Sequence, residues 1–418
     1  MIRMLPLLWN EKETALQRFR MRFFAMIVCV TASVNLTAQP ERPQVKWDLQ
    51  KLSVPPQVYP AESFREQGVR SLFFEGLPWK GKPTRVFAWY GVPPHRDGEK
   101  LPAMVLVHGG AGTAFADWVR LWNARGYAAI AMDTCGSVPI SEGEDGKWKH
   151  HDLGGPPCWV LDQVNWPIED QWNYHAVADV ILADSLLRSF PEIDTTRIGL
   201  TGISWGGYLT DMITSIDRRF RFGVPVYGCG FLGEDSAWAP VLKKLKPEDM
   251  QKWLALWDPS VYLPSVTMPM LWVDGTNDFA YPLDSLRKSY LLPKGPRTLS
   301  MHVRMEHGYA PAEPPEEIHA FADYYLKSGP ALMTMGNVKR KGDLVTVRYK
   351  AATPVTKAVL NYTLDATPWN KRLWSAAPAQ LDSAKHKVTV TLPAGVTAFY
   401  LDVIDERGLI VSSVLQGN

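Results

Sequence analysis

The stretch Ile198-Gly-Leu-Thr201-Gly202-Ile-Ser204-Trp-Gly206-Gly207 joins a short apolar run to a helical pattern that continues to Ile216. Residues 198–201 read as a strand and 206–216 as a helix, so Gly202-x-Ser204-x-Gly206 is the turn between them. A strand-to-helix turn this tight has no room for bulky neighbours, and Gly202, Gly206 and Gly207 meet that demand. Ser204 is then lifted above the sheet at a helix N-terminus, where a hydroxyl is a candidate nucleophile. A glycine-rich turn without chemistry is the competing reading.

Outward from that turn, the pattern alternates strand and helix. Ala103–His108 is a continuous apolar run that stops at Gly109-Gly-Ala-Gly112, and a helical pattern from Ala114 to Arg125 leads to a second apolar run, Tyr127–Asp133. Runs apolar on both faces are what central parallel strands look like, and their alternation with helices predicts a parallel sheet. Ahead of them, Ser71–Phe74 and Arg85–Val92 predict two antiparallel edge strands. Downstream, Tyr174–Ser189 and Glu316–Lys327 read as helices, and Val224–Gly228, Met270–Asp274 and Thr298–Val303 as strands, the order of a doubly wound sheet. Asp133–Asn173 is longer than an ordinary connection and rich in Gly, Pro, Trp and His; long loops in compact domains usually carry function or are disordered. Beyond Gly329 the texture changes to period-2 alternation in Leu344–Tyr349, Lys357–Thr363, Lys387–Leu392 and Phe399–Ile404, which predicts a small β-sandwich. The expected division is residues 1–38 as a leader, 39–330 as the α/β domain and 337–418 as the sandwich.

A serine hydroxyl reacts only when a base takes its proton and a carboxylate holds that base in one tautomer. In chain order after Ser204, the loop Gly275-Thr-Asn-Asp278 following a strand offers Asp278, with Asp274 at the strand end as its competitor. His307, on the loop after the next strand, is the candidate base, and Glu306 reads as a solvated neighbour. Backbone N–H groups near Gly110 and at Trp205 are the expected oxyanion donors, with His108 bracing the glycine loop. Trp159, Trp166 and Trp172 in the long loop are candidates for stacking on sugar faces, and plain packing of that loop is an equal alternative. Lys149-His-His-Asp152 lacks further ligands at metal spacing, so no metal and no cofactor are expected.

The chain has 45 basic and 43 acidic residues; the first 38 residues hold five basic and two acidic, leaving 40 against 41, a charge of −1. That balance offers nothing to nucleic acid or an anionic membrane. Phe23–Val34 is apolar, preceded by Arg18, Arg20 and Arg22 and followed by Leu36-Thr-Ala38, which reads as a signal peptide cleaved after Ala38. It is shorter than the roughly 20 residues that span a bilayer, so no membrane span is expected in the mature chain. A start at Met21 would make the signal compact. A secreted or periplasmic protein is the expectation, with Cys135 and Cys158 either bridged or ordinary small buried residues.

Leu106-Val-His-Gly-Gly, Gly202-Ile-Ser-Trp-Gly-Gly-Tyr-Leu, Val224-Pro-Val-Tyr-Gly-Cys-Gly and Asp274-Gly-Thr-Asn-Asp-Phe-Ala-Tyr-Pro carry a family likeness. The segment from about Val105 to Gly329 resembles the acetyl xylan esterase and dienelactone-hydrolase-like branch of the bacterial α/β-hydrolases, related to prolyl-oligopeptidase catalytic domains. The resemblance implies an α/β-hydrolase sheet, a serine carboxylic ester hydrolase acting on an ester substrate, and Ser204, Asp278 and His307 as nucleophile, acid and base. Leu360-Asn-Tyr-Thr and Asp405-Glu-Arg-Gly-Leu-Ile-Val-Ser-Ser resemble immunoglobulin-like domains appended to some secreted members. Dienelactone hydrolases proper use a cysteine where this chain has Ser204, and prolyl oligopeptidases carry a large propeller that the roughly 60 residues before the core strands cannot form. An extracellular polysaccharide esterase is therefore expected first and a peptidase second, with a carbohydrate- or surface-binding protein that no longer hydrolyses as the third reading.

Overall fold

A computed structural model describes residues 45–110, 112–140, 148–158, 161–309 and 315–417. The leader segment 1–38 and Trp159 lie outside the described residues.

In chain order the elements are β1 (Val58–Pro60), β2 (Arg70–Glu75), β3 (Arg85–Gly91), β4 (Leu101–Val107), α1 (Ala116–Ala124) and β5 (Ala128–Met132). A small hairpin of β6 (Ser137–Pro139) and β7 (Trp148–His150) precedes α2 (Trp172–Ser189), β8 (Ile193–Ile203), α3 (Trp205–Ile216) and β9 (Gly223–Val226). Then follow α4 (Pro247–Trp257), β10 (Met270–Gly275), α5 (Leu283–Tyr290), β11 (Arg297–His302) and α6 (Glu316–Lys327). Nine strands form one sheet in the order β1-β2-β3-β5-β4-β8-β9-β10-β11. β1, β2 and β3 pair antiparallel, as does β3 with β5, and every pair from β5 to β11 is parallel. The parallel half is built from strands such as β4 and β5 in which every residue is buried, because helices cover both faces. Pairing of β4 with β8 carries Val107 alongside Gly202, so the glycine loop after β4 and the serine turn after β8 leave the sheet at the same edge. That edge, outside the carboxyl ends of the parallel strands, is where open α/β sheets place ligands.

The sandwich comprises β12 (Thr334–Met335), β13 (Lys339–Lys341), β14 (Leu344–Lys350), β15 (Val355–Thr363), β16 (Ser375–Pro378), β17 (Gln380–Asp382), β18 (Lys387–Thr391), β19 (Ala398–Asp405), β20 (Ile410–Ser412) and β21 (Gln416–Gly417). One sheet runs β12-β14-β18-β17 and the other β16-β15-β19-β20. Burial alternates along β14, as half-buried strands require. The sandwich lies against β11, the last strand of the large sheet. The Met301 amide donates to Ser412 Oγ at 2.9 Å, and the Ile410 amide to Glu317 Oε1 at 2.7 Å. An edge strand left open would invite pairing with another chain, and this arrangement covers it. Among the described residues no helix is long and apolar enough to cross a membrane. Cys135 and Cys158 are free thiols, so no bridge joins them.

Candidate active site

Ser204 sits between β8 and α3 with φ 59° and ψ −117°, a backbone conformation that costs about 1–3 kcal/mol and persists only where the surroundings impose it. Three contacts impose it. Its amide donates to the Val226 carbonyl at 2.8 Å and its carbonyl accepts from the Tyr208 amide at 2.9 Å. A Cβ on Gly206 would stand 1.9 Å from the Val107 carbonyl oxygen, so the turn closes against β4 only because that side chain is missing.

His307 Nε2 lies 2.9 Å from Ser204 Oγ, and its Nδ1 lies 2.7 Å from Asp278 Oδ2. The structure thus brings the three predicted residues into one hydrogen-bonded chain. The other oxygen of Asp278 accepts from the amides of Ala280 (2.5 Å) and Tyr281 (2.9 Å), so the buried carboxylate is fixed by its own loop. Asp274, its sequence competitor, is buried at the end of β10 and accepts from the Gly275 amide at 2.7 Å. Burial, with the neighbouring Asp278 charge, pushes the Asp274 carboxyl well above the usual range and favours its protonated form. Tyr227 packs its ring 4.6 Å from the His307 ring and donates from its hydroxyl to the Glu306 carbonyl at 2.6 Å. Nothing in the sequence pattern singled out Tyr227; its φ of 55°, uncommon for a tyrosine, is a tertiary feature.

The glycine loop closes the other side. His108 Nε2 accepts from the Thr134 amide at 2.9 Å, which leaves the proton on Nδ1, donated to the Gly109 carbonyl at 2.7 Å. Burial pushes the His108 pKa down, consistent with a neutral brace. Gly110 is held through its carbonyl by the Tyr309 hydroxyl at 3.2 Å. Trp205 opens α3, where first-turn N–H groups lack helical partners, and its indole packs edge-on to Trp172 (5.5 Å) and Trp238 (4.7 Å).

The tryptophan expectation needs correction at Trp172. It is 4% exposed, donates from Nε1 to the Thr134 carbonyl at 2.7 Å and packs on Trp205, so no face of its ring is open to a sugar. Trp166 is half-buried beneath the Lys80 ammonium, 4.1 Å from the ring centroid. His150 donates from Nε2 to the Gly155 carbonyl (2.9 Å) and His151 packs on Phe73 (4.9 Å). Among the described residues no group of three or more His, Cys, Asp or Glu is arranged to hold a metal ion.

Sheet order, strained serine turn and hydrogen-bonded Ser-His-Asp chain define the class: an α/β-hydrolase of the serine type. Residues 48–258 match the family model of acetyl xylan esterase (AXE1), and the chain belongs to that family. An acetyl xylan esterase from a Paenibacillus species superposes with a TM-score of 0.52 at 21% identity, covering 66% of this chain and 92% of that one. Acetyl xylan esterase 1 from a Thermoanaerobacterium species gives 0.51 at 18% identity, covering 69% and 95%. These two likenesses carry the fold alone. In sequence, the uncharacterized peptidase YuxL of Bacillus subtilis is 25% identical over 228 residues, 50% of this chain and 31% of that protein. The chain thus spans about a third of that curated relative's length.

Proposed function

We propose that the protein is an exported serine esterase that removes acyl groups, acetyl foremost, from esters carried on polysaccharides. The observation that carries this reading is the chain Ser204–His307–Asp278 facing a glycine loop at the carboxyl edge of the sheet. His307 takes the proton of Ser204 as the hydroxyl oxygen attacks the ester carbonyl. The N–H groups of Gly110 and Trp205 receive the negative charge that develops on the carbonyl oxygen, while Asp278 stabilises the imidazolium. Collapse of that intermediate expels the alcohol, which takes its proton from His307, and leaves an acyl group on Ser204. Water, deprotonated by the same histidine, then releases the acid and restores the hydroxyl. Membership in the acetyl xylan esterase family supports acetyl as the acyl group. The basic residues ahead of Phe23–Val34 support export, and N-terminal sequencing of the secreted protein should begin at Gln39.

Hydrolysis of p-nitrophenyl acetate and release of acetate from acetylated xylan should fall on the order of a millionfold in Ser204→Ala. Undiminished ester cleavage by that variant would sink the mechanism. The peptidase relatives favour a second reading, in which the same serine cleaves a proline-containing chromogenic peptide. Peptide cleavage lost in Ser204→Ala, with esters ignored, would move the assignment there. Inactivity on all of these substrates would leave the third reading, a binding protein.

A further inference from the structure

The loop that carries Asp278 is covered by a loop of the sandwich. Asn277 donates from Nδ2 to the carbonyls of Asn370 (3.2 Å) and Arg372 (2.9 Å), in the segment between β15 and β16. Arg304, three residues before His307, donates from Nη2 to the Trp374 carbonyl at 3.2 Å. Between the two loops lies a cleft of about 400 Å³, inside the range of roughly 300–1,000 Å³ that small-molecule sites occupy. Asp278 and Phe279 line one wall, Trp369, Asn370 and Arg372 the other, and Asp235 stands at the same cleft.

The cleft adjoins the reacting groups. Phe279 is 60% exposed, unusual for phenylalanine, and its ring centre lies 5.0 Å from that of His307. The opposite wall is rigid: the Arg372 guanidinium lies 3.5 Å over the buried Trp369 ring and donates from Nε to the Thr367 carbonyl at 2.8 Å. An exposed aromatic face beside the exposed Asp235 carboxylate suits a ligand with an apolar C–H face and several hydroxyls. An anionic ligand would meet Asp235 and Asp278, and a purely apolar one would strip water from the exposed Asp235 with nothing in exchange.

We propose that this cleft is a subsite for a neutral sugar ring on the alcohol side of the ester, stacked on Phe279 and hydrogen-bonded through its hydroxyls to Asp235. The sandwich then supplies one wall of substrate recognition and sets a preference for oligomeric over small esters. This inference rests on the esterase reading above.

The test uses the full chain and two exposed positions, Phe279→Ala and Asp235→Asn. Because Phe279 also touches His307, the quantity compared is the ratio of kcat/KM on acetylated xylo-oligosaccharide to that on p-nitrophenyl acetate, in which a loss common to both cancels. That ratio should fall about tenfold in each variant, carried by KM, the scale of losing one specific contact. In the Ser204→Ala background, calorimetric titration with unacetylated xylohexaose should show Kd rising at least fivefold when either change is added. A ratio and a Kd both within twofold of the parent, or no binding at millimolar sugar, would overturn the subsite. If no ester is cleaved the esterase reading fails, and the titration decides the cleft independently.

Discussion

Alanine at Gly109 would place a methyl carbon 2.6 Å from the Ile203 carbonyl oxygen, 2.8 Å from Ser204 Cβ and 3.3 Å from the Tyr309 hydroxyl. Ordinary contact begins at 3.4 Å, so the two closest atoms are short by 0.8 and 0.6 Å, and both belong to the serine turn. That turn cannot yield, since it is tied to Val226 and closed against Val107. The glycine loop must move instead by most of an ångström, taking Gly110 with it. A misplacement near 1 Å costs about 100-fold, so kcat on p-nitrophenyl acetate should fall about 10- to 100-fold, or about 1.4–2.7 kcal/mol of barrier. Overpacking should lower stability by about 1–3 kcal/mol. Steady-state kcat, a pre-steady-state burst to count competent sites, and a thermal melt separate the two effects. Gly155→Ala is the control, because its Cβ would meet only His175 Nδ1, at 3.8 Å. Were Gly109→Ala to keep kcat within threefold with the melt unchanged, the close approach of loop to nucleophile would not be what positions the site.

Asn277→Ala removes both bonds to the sandwich loop. At about 0.5–1.5 kcal/mol each, stability in urea should drop by about 1–3 kcal/mol, with kcat/KM several-fold lower; an unchanged midpoint and rate would show that the sandwich does not brace the acid loop. Tyr227→Phe leaves the Glu306 carbonyl without its 2.6 Å donor beside His307, and kcat should fall roughly 5- to 150-fold, from an unsatisfied group worth about 1–3 kcal/mol; full kcat in that variant would refute the role. His319 packs on Trp122, and burial, aided by the Arg125 charge, pushes its pKa down to about 4. The folded state therefore resists a proton that the unfolded chain accepts near 6.5: the stabilisation is complete above that pH and is lost as pH falls through 4, about 3 kcal/mol in all. Urea midpoints at pH 7.5 and 4.5 measure the loss, and an identical slope in His319→Gln would assign it to other groups.

Much of this was legible along the chain. The glycine at 202 follows from local sterics, since a Cβ there would lie 2.1 Å from the Gly206 carbonyl oxygen of the same turn, whereas Gly206 is required by β4, whose Val107 carbonyl oxygen its Cβ would meet at 1.9 Å. Burial on both faces made β4, β5 and β10 readable as unbroken apolar runs. The longer sandwich strands, β14, β15, β18 and β19, were legible from alternation. The short strands were not: β1, β12, β20 and β21 have two or three residues, too few for a period, and exist because a partner strand pairs with them. The polar start of β8, Asp194-Thr-Thr-Arg197, likewise has no strand signal of its own.

The sequence by itself determined the elbow, the parallel core and the chain order of serine, acid and histidine, because these depend on local geometry and on the burial of contiguous residues. Only the tertiary structure decided how Asp278, the carboxylate expected from the chain order, reaches the histidine while Asp274 does not. Asp274 and Asp278 lie four residues apart on one strand-loop unit, and the fold of the loop, with two amides capping Asp278, turns that group to His307 and leaves Asp274 beneath. Only the tertiary structure, too, buried Trp172, against Thr134 and Trp205 more than 30 positions away, and laid the sandwich loop beside Phe279, about 90 positions away, because such contacts follow from how elements and domains pack, which no local pattern encodes.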